Sequence, residues 1–336
     1  MVILYDACMM TLKEFQTWFE VRFLALIEEK SNEFLSSSNS VSIKDILSYI
    51  TLYVQGGKRF RPYMVYVGYA LEGGENDIFP LLAGTELLHL FCLVHDDVMD
   101  NEIMRHGIAT IHKHYEKIFQ STDIGRSIAI LVGDLCLAWS IDCLEETEPI
   151  EPYTIDDVSR EYRDLLSEVI HGQMLDVIPT HENTQYVIEK KMELKSARYS
   201  FFHPLYMGMM LAGADPEVQF FAEEYAVNLG MAFQLQDDLA DCMADIKNGQ
   251  QTLLSWYMFN EASEEECNEF STYFGIEWSA EEEKKLLKIL QHSGALSFAA
   301  EKIEQYYLQA EDAIFNHDKT GEEIWREIIA EVKKMS

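Results

Sequence analysis

Basic residues are scarce in this chain. Only 26 of its 336 residues are Lys or Arg, against 58 Asp or Glu, for a formal net charge of -32 at pH 7. A phosphate backbone would be repelled by such a chain, which argues against nucleic acid as a partner. Cysteine is also sparse: six residues, at 8, 92, 136, 143, 242 and 267, with no CxxC pair and no His at zinc-finger spacing. That spacing argues against a structural zinc site and favours free thiols in a reducing cytoplasm. The seven prolines lie mostly where helices start, strand-like alternation is rare, and no short-period repeat is present. The amino terminus, MVILYDACMMTLKEF, lacks a basic stretch followed by a long apolar run, so no signal peptide or membrane anchor is expected in it.

What is present is apolar and helical. Hydrophobic residues make up 48% of the chain, enough for a sizeable core. Leu12, Phe15, Phe19, Phe23, Leu26 and Ile27 recur at helical spacing, predicting an outer helix from Thr11 to Leu35 that the SSSNSVS tract ends. Ser42 is the expected cap of a second helix through Tyr53, and Gly56-Gly57 breaks the chain before KRFRP, where Pro62 suits a first helical turn. The stretches 80–95 and 128–144 read as core helices, EPIEPY as a loop, and 156–178 and 185–212 as helices, with Pro204 expected to kink or break the second. Acid clusters EASEEEC and SAEEEKK mark amphipathic helices that look peripheral. The expectation is an all-α helical bundle, one domain over 1–336, with a motif-bearing core at about 41–255 and outer helices at about 256–336.

Two carboxylate clusters carry the chemistry. Asp96, Asp97 and Asp100 close the apolar run PLLAGTELLHLFCLVHDDVMD, and Asp237, Asp238 and Asp241 close FQLQDDLAD. On a helix Asp96 and Asp100 lie one turn apart on one face, with Asp97 flanking them. Ionised acids grouped at the end of a buried helix are costly unless cations compensate, so each DDxxD asks for a hard ion such as Mg²⁺. Facing one another, the two could clamp a diphosphate through several ions. Lys58, Arg59 and Arg61, within four positions of one another, are the bases an anionic substrate would need.

GGKRFRP at 56–62, LVHDDVMD at 93–100, RHG at 105–107, GQMLD at 172–176, KSA at 195–197 and FQLQDD at 233–238 resemble, in order and in spacing, the trans-prenyl diphosphate synthases. The resemblance spans about residues 50 to 255. It implies the isoprenoid synthase fold, a homodimer, and three Mg²⁺ held by Asp96, Asp100 and Asp237 with Asp97, Asp176, Asp238 and Asp241 in support. It implies that an allylic diphosphate ionises there, its diphosphate contacted by Arg105 and Lys195 and its cation stabilised by Lys195 carbonyl, Ser196 and Gln234. It assigns isopentenyl diphosphate to Lys58, Arg61 and His89, with His106 in a further phosphate-contacting position, and gives Gln173 and Asp176 a place lining the cavity. The released proton goes to pyrophosphate.

Three features depart from the pattern. His106 stands where Arg is usual, and charge there is only partial near neutrality. Ser196 stands where Thr is usual. CMADIKNGQQTLL is shorter than the family's loop and has Gln250 in place of a Lys, leaving Lys247 as the residue that could compensate. Phe91 and Cys92, five and four positions before Asp96, occupy the places that stop chain growth in the family; an aromatic at the fifth resembles C20 producers more than C15 ones. Helix geometry puts Cys92 nearer the Asp face and allows Phe91 a purely packing role. The competing readings are a regulatory subunit of a heteromeric synthase, suggested by the missing cations, and a class I terpene cyclase, disfavoured by the second DDxxD and the GGKRFRP loop.

Overall fold

Phe15, Phe19, Phe23 and Ile27 stand four residues apart and are all fully buried, which makes α1 (Leu12–Ser36) a one-sided helix. Its rings stack in series, Phe15 on Phe19 at 5.5 Å and Phe19 on Phe23 at 5.2 Å between centroids. The computed structural model describes residues 9–36, 40–178, 184–316 and 321–334. Cys8 and most of the serine tract at 36–38 fall outside them.

The chain forms two compact units, one drawn from residues 1–159 and 207–214, the other from 160–206 and 215–336. In the first, α1 is followed by α2 (Val41–Tyr53), α3 (Phe60–Leu71), α4 (Phe79–Met99), the antiparallel hairpin β1 (Met104–Arg105) and β2 (Ile108–Ala109), α5 (Ile111–Phe119) and α6 (Thr122–Glu145). The apolar run ending in Asp96, Asp97 and Asp100 is α4, with Leu81, Leu82, Ala83, Leu87 and Leu88 fully buried. Against it lies α6: a Cβ on Gly84 would meet the Ser140 carbonyl at 3.2 Å, and Ser140 Oγ donates to the Gly84 carbonyl at 2.5 Å. By length and composition α6 could cross a membrane, yet Val132, Cys136, Trp139 and Cys143 along it are buried in this unit.

One local expectation needs correcting. The cap of α2 is Ser40, whose side chain accepts from the Ile43 amide, because the helix begins at Val41 and leaves Ser42 inside its first turn. The fold is all-α as expected, with one small hairpin added. His106 (φ 49°) and Gly107 (φ 83°) both take left-handed backbone, the pair of positive φ angles that a two-residue type I′ turn demands. Strands two residues long carry no alternation to read.

The second unit takes in most of α7 (Ile155–Val177), then α8 (Gln185–Met192), a π-helical segment Glu193–Phe202, and the start of α9 (His203–Leu211). It continues through α10 (Val218–Ala240), α11 (Cys242–Asn248), α12 (Leu253–Asn260), α13 (Glu264–Ser271), α14 (Ala280–His292), α15 (Ala295–Asn316) and α16 (Glu322–Val332). Pro204 does not break the run: it is the second residue of α9, which follows the π segment without a gap. The disturbance lies before it, as wide turns in which the His203 amide reaches back five residues to the Arg198 carbonyl. A proline here has no N–H to offer and crowds the carbonyl four residues back, and the wider ladder relieves both constraints.

The carboxy-terminal helices are not peripheral. Met231 and Leu235 of α10 pack with Phe298, Ile303 and Tyr306 of α15, and Phe270, Leu286 and Leu290 are fully buried in a second cluster. Trp325 of α16 is buried on Tyr225, whose hydroxyl donates to its carbonyl at 2.9 Å. The acid clusters that look like solvated faces are helix starts: Ser263 with Glu266 and Ser279 with Glu282 form capping boxes.

Candidate active site

In the first unit the base-rich loop divides its three bases by role. Arg59 takes left-handed backbone (φ 53°) and its side chain is 2% exposed. Its Nε donates to Glu20 at 2.8 Å, Nη1 to Glu86 of α4 at 2.6 Å, and Nη2 to the Val54 carbonyl. Arg59 thus pins the loop to α1 and α4, leaving Lys58 exposed and Arg61 partly exposed beside it. The Lys58 carbonyl is held by Gln16 Nε2 at 2.6 Å.

His89 sits on α4 within the electrostatic reach of four groups. Burial first, then the charges of Arg61, Arg59, Arg105 and His106, push its pKa well below the ordinary imidazole value. The ring is therefore neutral at pH 7, a hydrogen-bonding group within a basic neighbourhood suited to an anion. His106 reaches this neighbourhood from the tip of the hairpin, where its side chain is exposed.

At the end of α4 the three aspartates separate. Asp97 is buried: Arg105 holds its Oδ1 through Nε at 2.8 Å and Nη2 at 2.6 Å, and Tyr53 Oη donates to Oδ2. Both Asp97 oxygens are therefore engaged within the protein, while Asp96 is partly exposed and Asp100, the cap of α4, is exposed. Burial, then the Asp97 charge, raises the Tyr53 pKa, so the phenol stays a donor. Phe91 is buried with its ring 4.7 Å from that of His95, a packing position; Cys92 is partly exposed.

The second unit carries the other set. Gly172 of α7 lies so close to the π segment that a Cβ there would sit 2.6 Å from the Lys195 amide nitrogen. Lys195 Nζ then reaches Asp176 Oδ2 at 2.6 Å, and Lys191, one turn earlier, reaches Asp176 Oδ1 at 3.0 Å and the Gln251 carbonyl at 2.9 Å. Although burial opposes it, the two lysines lower the Asp176 pKa. Ser196 Oγ donates to Gln234 Oε1 at 2.5 Å, and Gln234 Nε2 donates to Asp238 Oδ1 at 2.7 Å, which fixes the amide's orientation. Gln173 is partly exposed on α7.

At the end of α10, Asp237 and Asp238 are partly exposed and Asp241, the cap, is exposed. Burial and the neighbouring Asp245 push Asp238 up to about 7, and burial and Asp241 push Asp245 up to about 6. Lys247 does not face this cluster as a compensating cation: its Nζ pairs with Glu277 at 2.5 Å. The cation influencing both Asp238 and Asp245 is Lys191.

Sequence reasoning missed Tyr53, Lys191, Asp245 and the π segment. Lys191 and Asp245 each lie four residues from a named site residue, so helical spacing could have found them. Tyr53 and the π turns have no such signal.

Among the described residues no group of three or more His, Cys, Asp or Glu gathers closely enough to hold a metal alone. Mg²⁺ does not require one, since it keeps waters and is held by one or two carboxylates together with substrate phosphates. Asp238, which resists ionising in the last turn of α10 where the macrodipole is already negative, and Asp245 beside it are a donor set that a divalent cation fits.

Comparison with known proteins agrees with this chemistry. Residues 42–292 match the family model described as Polyprenyl synthetase. A short chain isoprenyl diphosphate synthase from Methanocaldococcus jannaschii is 29% identical over 257 residues, 71% of this chain and 73% of that protein. A geranylgeranyl diphosphate synthase from Sulfolobus acidocaldarius is 27% identical over 317 residues, 84% of this chain and 90% of that protein. Among solved structures, geranylgeranyl pyrophosphate synthase from Corynebacterium glutamicum complexed with isoprenyl diphosphate and magnesium has the same fold, with a TM-score of 0.80 at 22% identity over 94% of this chain and 99% of that one.

Proposed function

Because this chain belongs to the polyprenyl synthetase family and is a prenyltransferase, we propose that it condenses isopentenyl diphosphate with an allylic diphosphate in a Mg²⁺-dependent reaction. The product is a short-chain trans-prenyl diphosphate, C20 foremost and C15 next. The observation that carries this reading is the pairing of carboxylates and bases in both units: Asp96 within electrostatic reach of Arg105, which also acts on His89, in one, and Asp238 within reach of Lys191, which with Lys195 holds Asp176, in the other. Relatives named geranylgeranyl diphosphate synthase favour C20.

In this reading Asp96, Asp100 and Asp237 would hold Mg²⁺, three ions per site, with Asp238 and Asp241 in support. Bound there, Mg²⁺ would supply positive charge to offset the diphosphate and the negative charge that develops as its carbon–oxygen bond breaks. Lys195 holds the leaving diphosphate. The Gln234 amide, oriented by Ser196 and Asp238, and the Ser196 hydroxyl present fixed dipoles to the allylic cation without having to reorganise as charge appears. Lys58, Arg61 and neutral His89 bind isopentenyl diphosphate, whose double bond attacks the cation, and the proton then lost passes to pyrophosphate. Asp97 acts through Arg105, aiming its guanidinium. We extend the proposal to a cytoplasmic homodimer, supported by free cysteines among the described residues and by Ile130 and Leu131 of α6, 45% and 66% exposed.

The test is incubation with isopentenyl and dimethylallyl, geranyl or farnesyl diphosphate, with and without Mg²⁺, followed by sizing of the extracted prenols. Linear C20 or C15 product only with Mg²⁺ is expected. Cyclised hydrocarbon would overturn the reading in favour of a cyclase, and no turnover of any allylic primer would overturn it in favour of a regulatory subunit.

A further inference from the structure

A charged network in the second unit serves no substrate group directly. His203 is buried, with Nδ1 2.5 Å from Glu161 Oε1 and Nε2 2.9 Å from Glu168 Oε2. Both ring nitrogens face carboxylates, so the ring carries both protons, and its pKa is raised even though burial works against the charge. Arg198 shares Glu168: its Nε lies 2.5 Å from Oε2, its Nη1 lies 2.5 Å from Glu223, and its guanidinium covers the Phe202 ring at 4.7 Å.

The network joins three elements. Glu161 and Glu168 lie on α7, Glu223 on α10, and the two cations belong to the wide-turned helix between them, Arg198 inside the π segment and His203 just after it. The same α7 and α10 carry Asp176 and Gln234, the partners of Lys195 and Ser196. The backbone of the π segment is held closely on both sides. A Cβ on Gly172 of α7 would meet Lys195 N at 2.6 Å, and one on Gly230 of α10 would meet Ala197 Cα at 2.5 Å.

We propose that Arg198 and His203 are positioning residues, which lock the π register of Glu193–Phe202 between α7 and α10 so that Lys195 and Ser196 engage both helices at once. A π turn holds one residue more than an α turn. Returning it to α pitch would rotate Lys195 and Ser196 relative to His203 by roughly 100°, the angle of one helical residue, and take them off their partners. The His203 amide bonded to the Arg198 carbonyl joins the two cations' own backbones across that extra residue. This inference rests on the proposed function only in taking Lys195 and Ser196 as groups for the allylic substrate.

The test is steady-state kinetics of Arg198→Met, Arg198→Lys, His203→Gln and Glu223→Gln, together with calorimetric binding of inorganic pyrophosphate with Mg²⁺. The allylic KM is expected to rise about ten-fold and kcat to fall for Arg198→Met, while the isopentenyl KM stays within about two-fold, because displacements near an ångström suffice for such losses. Arg198→Lys, whose ammonium cannot bridge Glu168 and Glu223, should show a smaller effect of the same kind. Glu223 has a side chain 43% exposed, so Glu223→Gln tests the bridge even if Arg198→Met fails to fold. Folded variants with wild-type allylic KM and pyrophosphate affinity would overturn the inference, as would equal shifts in both KM values, which mean general loosening. A wild type that binds pyrophosphate but condenses nothing would refute the enzymatic reading alone, and the variants' pyrophosphate affinities would still decide this one.

Discussion

Arg105 and Asp97 meet through two nitrogens on one oxygen, Nε at 2.8 Å and Nη2 at 2.6 Å from Oδ1. Tyr53 takes the other oxygen. The middle aspartate of the first cluster therefore faces inward and ties the hairpin and α2 to the end of α4. Removing the phenol leaves a buried carboxylate short of a partner. Tyr53→Phe should lower stability by about 1–3 kcal/mol, read by urea unfolding; an unchanged midpoint would mean Arg105 satisfies Asp97 alone.

The accessible aspartates behave differently. Asp96→Ala should abolish prenol formation, whereas Asp123→Ala, on the exposed first turn of α6, should leave it near wild type. Equal activity in the two variants would place the reacting centre elsewhere.

The base-rich loop allows its residues to be told apart. Arg59 is buried with Glu20 and Glu86, and breaking a buried charge pair from one side costs about 3–5 kcal/mol, so Arg59→Met should chiefly lower the unfolding midpoint. Arg61→Met should instead raise the isopentenyl KM with a smaller change in midpoint. Matching effects in both assays would contradict this division.

The pH dependence of stability has a definite sign at His203. Its folded pKa is raised above the ordinary imidazole value, so its contribution is complete below that ordinary value and is lost as pH rises through the raised one. Unfolding free energies measured from pH 6 to 9 should fall more steeply for wild type than for His203→Gln. Parallel curves would show the ring to be neutral between its two carboxylates.

Asp238 and Asp245 predict how Mg²⁺ acts. Their folded pKa values, about 7 and about 6, lie above 3.8, so the folded state binds more protons and loses stability as pH rises toward them. A cation that binds the ionised forms offsets that loss. Added Mg²⁺ with pyrophosphate should therefore raise the thermal midpoint more at pH 8 than at pH 6, and chelation should reverse the gain. Shifts independent of pH would separate these two acids from the metal.

Much of this was legible because it is local. The apolar stripe Phe15, Phe19, Phe23 and Ile27 and the unbroken run of α4 specify helices and buried faces through spacing alone. The carboxylates at the ends of α4 and α10 announce a cation through the cost of grouped charge. The carboxy-terminal acid clusters misled, since a capping box and a solvated face have the same composition, and only the buried Phe270 and Leu290 on the helices they start tell them apart.

The sequence by itself determined the all-α class, the two aspartate clusters and the bases that could serve a diphosphate, because helical periodicity and charge density act within a few residues. Tertiary structure decided which of those charges are spoken for: Arg59 by Glu20 and Glu86, Asp97 by Tyr53 and Arg105, Lys247 by Glu277. It also decided that the helix bearing Lys195 and Ser196 opens into π turns before Pro204. Ion pairs between residues far apart in the chain, and backbone contacts at Gly172 and Gly230, arise only when helices pack, and no window of sequence contains both partners.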